Sequence, residues 1–167
     1  MKKHFSLFLI LFVSVGFLAA ASIDAYSEEY PALEGLNSIK AVFDARAGNP
    51  NDLELYLKLI HATFNDKEIQ AVTEKRDFVI VFIGPAVKLI SKNREGFSPE
   101  QSKALDEIAS TISAMSKDGI KFEVCMFAAK HFHVEPSSIL PEIKQVGNGW
   151  ISLIAYEAKG YSLVPVY

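Results

Sequence analysis

The stretch that decides the fold is Phe78-Val79-Ile80-Val81-Phe82-Ile83, followed by Gly84-Pro85. Six apolar residues run together without the alternation of a strand that has one wet face. Such a run marks a strand covered on both sides, as in a parallel sheet with helices above and below. Gly84-Pro85 ends it, and Pro85 suits the first position of a short helix reaching Ile90.

Working upstream, Ile39, Val42 and Phe43 lie in a β-prone run that ends at Asp44, a first strand stopped by the turn-rich Ala47-Gly48-Asn49-Pro50-Asn51. A helix is expected next, capped by Asp52, with Leu53, Tyr56, Leu57, Ile60 and Phe64 as its apolar stripe. Downstream, Arg94-Glu95-Gly96-Phe97 reads as loop. Ser98-Pro99-Glu100-Gln101 then carries a capping serine, a proline at the first helical position and a glutamine three residues after the cap. The long helix that follows buries Leu105, Ile108, Ala109, Ile112 and Met115, and ends at Asp118-Gly119. Residues 120–126 form a strand with Ile120, Phe122, Val124 and Met126 on one face and Lys121, Glu123 and Cys125 on the other. A loosely patterned segment passes through His131, His133 and Pro136. Residues 139–146 hold a turn and a short strand, Gly147-Asn148-Gly149 opens a helix over 150–159, and 161–166 is a last strand. Strands alternating with helices imply an α/β protein with a parallel sheet covered on both faces.

Composition narrows the class. The chain has 167 residues, half of them apolar, with 22% charged, a formal charge of −3 and one cysteine. It is too apolar for a disordered chain and too balanced in charge for a nucleic-acid binder working through a cationic face. A lone Cys125 excludes an internal disulfide framework, a CxxC pair and a multi-cysteine zinc site. Met1-Lys2-Lys3-His4 followed by an uncharged apolar stretch over 5–20 and by Ala19-Ala20-Ala21 reads as a secretory signal cut after Ala21. Residues 1–21 are thus taken as leader, 22–36 as an N-terminal arm and 37–167 as a single α/β domain, in a periplasmic or secreted protein. The membrane would be involved only through an uncleaved leader. Loss of Lys2 and Lys3 moves the formal charge from −3 to −5, which suits neither nucleic acid nor anionic lipid.

In an open parallel sheet, ligands gather beyond the carboxyl ends of the strands. That rule selects Asp44 and Arg46, Gly84 and Pro85, Cys125 with Met126 and Phe127, and Asn148 to Trp150. Cys125 stands out, because a helix N-terminus beside a thiol favours nucleophilic thiolate. The plainer reading is a small buried hydrophobe. His131 and His133, with Glu135, have the spacing of an extended metal site but lack a fourth ligand, so no metal is assigned. His61 is read as a surface or boundary residue. Gly147-Asn148-Gly149 lacks the third glycine of a dinucleotide site, and Gly96-Phe97-Ser98-Pro99-Glu100 lacks the second glycine of a nucleophile elbow. No cofactor is expected. Phe127, Phe132, Trp150 and Tyr156 line an apolar pocket or subunit contact, or are core.

Taken in order, Val42-Phe43-Asp44, Ile83-Gly84-Pro85-Ala86-Val87, Gly119-Ile120-Lys121-Phe122-Glu123-Val124-Cys125 and Gly160-Tyr161-Ser162-Leu163-Val164-Pro165 resemble the DsrE/DsrF-like family, across residues 38–167. The resemblance implies a three-layer α/β/α sandwich around a five-stranded parallel sheet, assembled as a homo-oligomer such as a trimer or hexamer. It implies sulfur handling, with Cys125 accepting or transferring sulfane sulfur as a persulfide and with a sulfur donor or acceptor protein as partner. Gly84, Pro85 and Asn148 are expected near the thiol because they end neighbouring strands. The leader departs from the cytoplasmic sulfur carriers of this family. The alternative is a non-catalytic small-ligand-binding or assembly module of the same fold.

Overall fold

The apolar run at 78–83 supplies the middle of the sheet in the computed structural model, which describes residues 30–73 and 75–167. In chain order the elements are β1 (Ile39–Ala45), α1 (Pro50–Phe64), α2 (Lys67–Val72), β2 (Arg76–Phe82), α3 (Pro99–Lys117), β3 (Lys121–Cys125), α4 (Met126–His131), β4 (Lys144–Val146), α5 (Gly149–Ala158) and β5 (Ser162–Val166). Short 3-10 turns occupy Pro31–Leu33, Gly84–Lys88 and Pro136–Ser138. The strand order is β4-β3-β2-β1-β5, and every pairing is parallel. Residues 1–21, read as a leader, lie outside the described residues, as does most of the arm. Among the described residues no helix is long and apolar enough to cross a membrane.

Phe78, Val79, Ile80, Val81 and Phe82 are all buried, as a strand covered on both faces requires. One cover is the packed pair α1 and α3, which bury Leu53, Leu57, Ile60 and Phe64 from the first and Leu105, Ile108, Ile112 and Met115 from the second. The other is α5, which lies across β1, β2 and β3. Side-chain alternation along β3 sends Glu123 and Cys125 to the α5 face, where the Tyr156 hydroxyl donates to Glu123 Oε1 at 3.0 Å. Burial, with this hydrogen bond and the nearby carboxylate charge, holds the Tyr156 phenol well above its ordinary pKa. Pro165 sits in the edge strand β5, paired with Asp44 of β1.

Local structure departs from expectation in several places, among them the helix α2, which has no counterpart in the sequence reading, and β3, which ends at Cys125 and not at Met126. Helix α1 starts two residues before Asp52, because Pro50 takes the first helical position and the Asn49 side chain accepts the Asn51 N–H at 2.8 Å. The 3-10 turn after Gly84 stops at Lys88 instead of running to Ile90. The loosely patterned segment after Cys125 begins with the helix α4, only six residues long and so too short to show a period.

The signal at Ser98 is realised in full. Ser98 Oγ accepts the Gln101 N–H at 3.2 Å, and Gln101 Oε1 accepts the Ser98 N–H at 3.0 Å, with Pro99 at the first position of α3. Ser98→Ala should lower the unfolding free energy by about 1 kcal/mol, read as an earlier urea midpoint with an unchanged slope. An unchanged midpoint would mean that the box adds nothing to α3.

Candidate functional site

Strand β3 runs into α4 with no loop between them. Cys125 is both the last residue of the strand and the N-cap of the helix, and its Sγ accepts the Ala128 N–H at 3.4 Å. The β3 ladder therefore sets where the sulfur lies. The neighbouring strand ends are held as firmly. Ile83 N–H donates to Ala45 O at 2.9 Å, Arg46 N–H donates to Val166 O at 2.7 Å, and Phe127 N–H donates to Gly147 O at 3.0 Å. The last of these ties the first turn of α4 to the segment entering α5. Asn148 caps α5, its Oδ1 accepting the Trp150 N–H at 3.0 Å.

Helix α5 begins hard against the thiol. A Cβ added to Gly149 would lie 2.9 Å from Ile83 Cγ1 and Cδ1 and 3.0 Å from Cys125 Cβ, closer than real side chains pack. Gly149 is thus the residue that lets α5 press onto the ends of β2 and β3. The sequence reading considered this glycine for anion binding; its role here is close packing.

These contacts leave a pocket of about 330 Å³ beyond the carboxyl ends of the strands. Ile83, Phe127, Ala128, Phe132 and Trp150 give it apolar walls, while Arg46, His131 and Asn148 supply its polar groups. Gly84 and Cys125 complete the lining. Cys125 is only 3% exposed, whereas Phe127 and Trp150 are 75% and 59% exposed. The thiol residue therefore lies deep and the two aromatic residues stand out in solvent. Arg46 is fixed by Asp44, a buried residue whose Oδ1 and Oδ2 accept from Arg46 Nε at 2.9 and 2.8 Å.

Of the expected site residues, Gly84, Cys125 and Asn148 meet at this pocket. Pro85 does not line it; its ring faces Gly48 instead, with Cγ 3.2 Å from where a Gly48 Cβ would stand. Phe127, Phe132 and Trp150 converge as an aromatic group, but Tyr156 lies apart on Glu123. His131 joins the thiol pocket, while His133, in a left-handed conformation with φ 56°, lines a separate hollow with Glu135 and Ser91. The two histidines of the HxH pair thus serve different cavities. Arg46 entered the sequence reading only through the strand-end rule, and nothing in its spacing marked it as a pocket cation.

The DsrE/DsrF-like family model matches residues 40–166. An uncharacterized protein of Aquifex aeolicus (strain VF5) is 24% identical over 128 residues, a match covering 76% of this chain and 56% of that relative. The chain thus spans little more than half of the curated relative's length. Among solved structures, the protein of unknown function MTH1491 from Methanobacterium thermoautotrophicum aligns with a TM-score of 0.59 at 12% identity, over 76% of this chain and 98% of that one. The ychN protein from E. coli aligns with a TM-score of 0.55, also at 12% identity and with 76% and 98% coverage. At that identity the two structures speak for the fold: a parallel sheet flanked by helices.

Gly149→Ala should destabilise the protein by about 1–3 kcal/mol through overpacking against Ile83 and Cys125, outweighing the helix preference of alanine. Gly147→Ala, where an added Cβ meets nothing within 4 Å, should change stability by less than about 1 kcal/mol. Thermal melts of the two variants side by side check the contrast, and equal losses would contradict it.

Proposed function

The chain belongs to the DsrE/DsrF-like family, and on that premise we propose that it handles sulfur, Cys125 accepting sulfane sulfur as a persulfide and passing it to an acceptor thiol. The observation that carries this reading is that the chain's one cysteine lines a pocket past the ends of the strands, where a parallel sheet offers its ligand site. In the loading step the Cys125 thiolate attacks the outer sulfur of a donor. A new Sγ–S bond forms as the donor's S–S bond breaks, and the leaving group departs with the electron pair. In unloading, an acceptor thiolate takes the outer sulfur and Cys125 leaves as thiolate. The Ala128 N–H, already directed at Sγ, is a donor for the negative charge that sulfur carries at both ends of this cycle. Gly84 and Asn148 shape the approach. The leader reading makes the protein periplasmic or secreted, so its donor and acceptor would be found there.

A specific observation favours a second reading. Cys125 is 3% exposed, and the walls around it are mainly apolar, as in a non-catalytic module that binds a small apolar ligand. Intact-mass measurement separates the two. Polysulfide or thiosulfate should add one sulfur-atom mass to the wild type and none to Cys125→Ser. A wild-type mass that stays unchanged, together with alkylation only after denaturation, would leave the binding module.

We further propose that the protein is a homo-oligomer, a trimer or hexamer as in its family, assembled through α5. Ile151 and Ile154 on that helix are large, exposed apolar residues, as are Leu163 and Val164 on β5 and Phe127 and Trp150 at the pocket. Exposed apolar side chains that gather on one face mark a surface that another subunit covers. Sedimentation should give a mass above that of one chain, and Ile154→Glu should shift it toward the monomer. A wild type that sediments as a monomer at micromolar concentration sinks the assembly proposal.

A further inference from the structure

Resting on the sulfur-handling reading, we infer that the pocket selects anionic donors of the thiosulfonate and thiosulfate class, and that Arg46 is the residue that holds their sulfonyl oxygens. Arg46 is anchored twice, by its backbone N–H on Val166 O at 2.7 Å and by Nε on both oxygens of Asp44 at 2.9 and 2.8 Å. The buried Asp44 thus occupies one edge of the guanidinium, and among the described residues Nη1 and Nη2 make no hydrogen bond. The side chain is one-third exposed and lines the same pocket as Cys125. Among the described residues no carboxylate lines that pocket. An arginine held by a buried carboxylate at Nε, with its terminal nitrogens making no hydrogen bond among the described residues and its side chain lining the same pocket as the thiol, is suited to bind a pair of oxygens on one anionic group.

The chemistry requires such a group. A thiolate attacking an anionic donor brings two negative charges together, and a fixed cation offsets that repulsion. As the Cys125 Sγ–S bond forms and the donor's S–S bond breaks, the electron pair leaves on sulfite from thiosulfate or on a sulfinate from a thiosulfonate. Charge balances in both cases. Arg46 holds the oxygens of the group that departs, so its hydrogen bonds strengthen as the bond breaks. Phe127, Phe132 and Trp150 add apolar walls that an inorganic anion does not use, so an aryl thiosulfonate should load faster than thiosulfate.

Trp150 is the chain's single tryptophan and lines this pocket, so a ligand that enters beside it changes its fluorescence. With the purified full chain, the unreactive anion benzenesulfonate should change that fluorescence saturably. Arg46→Gln should weaken its binding, and slow sulfur loading of Cys125 from benzenethiosulfonate, by at least about tenfold, the loss expected for a charge-assisted hydrogen bond. Alkylation of Cys125 by neutral iodoacetamide should stay unchanged. Arg46→Lys, which keeps the charge without the fork, should fall between, and it serves if the glutamine variant does not fold. Equal slowing of loading and alkylation would overturn the inference by making Arg46 merely structural. Unchanged loading and binding would also overturn it while leaving sulfur transfer intact. Arg46-dependent binding of benzenesulfonate in a wild type that takes up no sulfur would instead sink the transfer reading and keep Arg46 as the anion contact.

Discussion

A strand with apolar side chains on both faces is stable only between two covering layers, and Phe78–Phe82 is such a strand. The remaining architecture follows from meeting that demand. β1 and β3 pair on either side of it, α1 and α3 close one face, and α5 closes the other. Because every strand runs in the same direction, the carboxyl ends of all five lie at one end of the sheet, and the turns and helix starts that follow β1 to β4 crowd there. The pocket is the space these connections leave.

The position of the sulfur atom comes from two ladders and one missing methyl group. β3 pairs with β2 through Val124 and with β4 through Cys125, so the last residue of the strand is fixed before any side chain is considered. Helix α4 starts on the next residue, and α5 descends onto the same spot because Gly149 has no Cβ to stop it. The outcome is a thiol residue that is deep yet adjoins a pocket. Arg46 reaches that pocket from β1 in the same way, through a backbone hydrogen bond that extends the ladder past the strand's end and a buried carboxylate that turns its side chain.

Features with a local cause were readable from the residues. The unbroken apolar run gave β2, the Ser98-Pro99-Glu100-Gln101 quartet gave the start of α3, and alternation along 120–126 put Glu123 and Cys125 on one face. Features set by distances between segments were not. Asn49 displaced Asp52 as a cap because Pro50 already occupied the first helical position. α2 and α4, at six residues each, offer too little length for a period to emerge. The packing role of Gly149 depends on how closely β2 and β3 end beneath α5, which no spacing along the chain records. The strand-end rule selected Gly84, Cys125 and Asn148, which line one pocket, but could not tell that Pro85 turns to Gly48.

Pro165 has a consequence for the margin of the sheet. Val166 O points inward to Arg46, so the alternation of strand peptide groups turns Pro165 outward, where its missing N–H leaves a gap in the outer row of donors. The opposite margin, β4, is three residues long. Among the described residues, then, each border is blunted against the addition of a foreign strand, one by its shortness and the other by its proline, although Leu163 and Val164 lie open at the second.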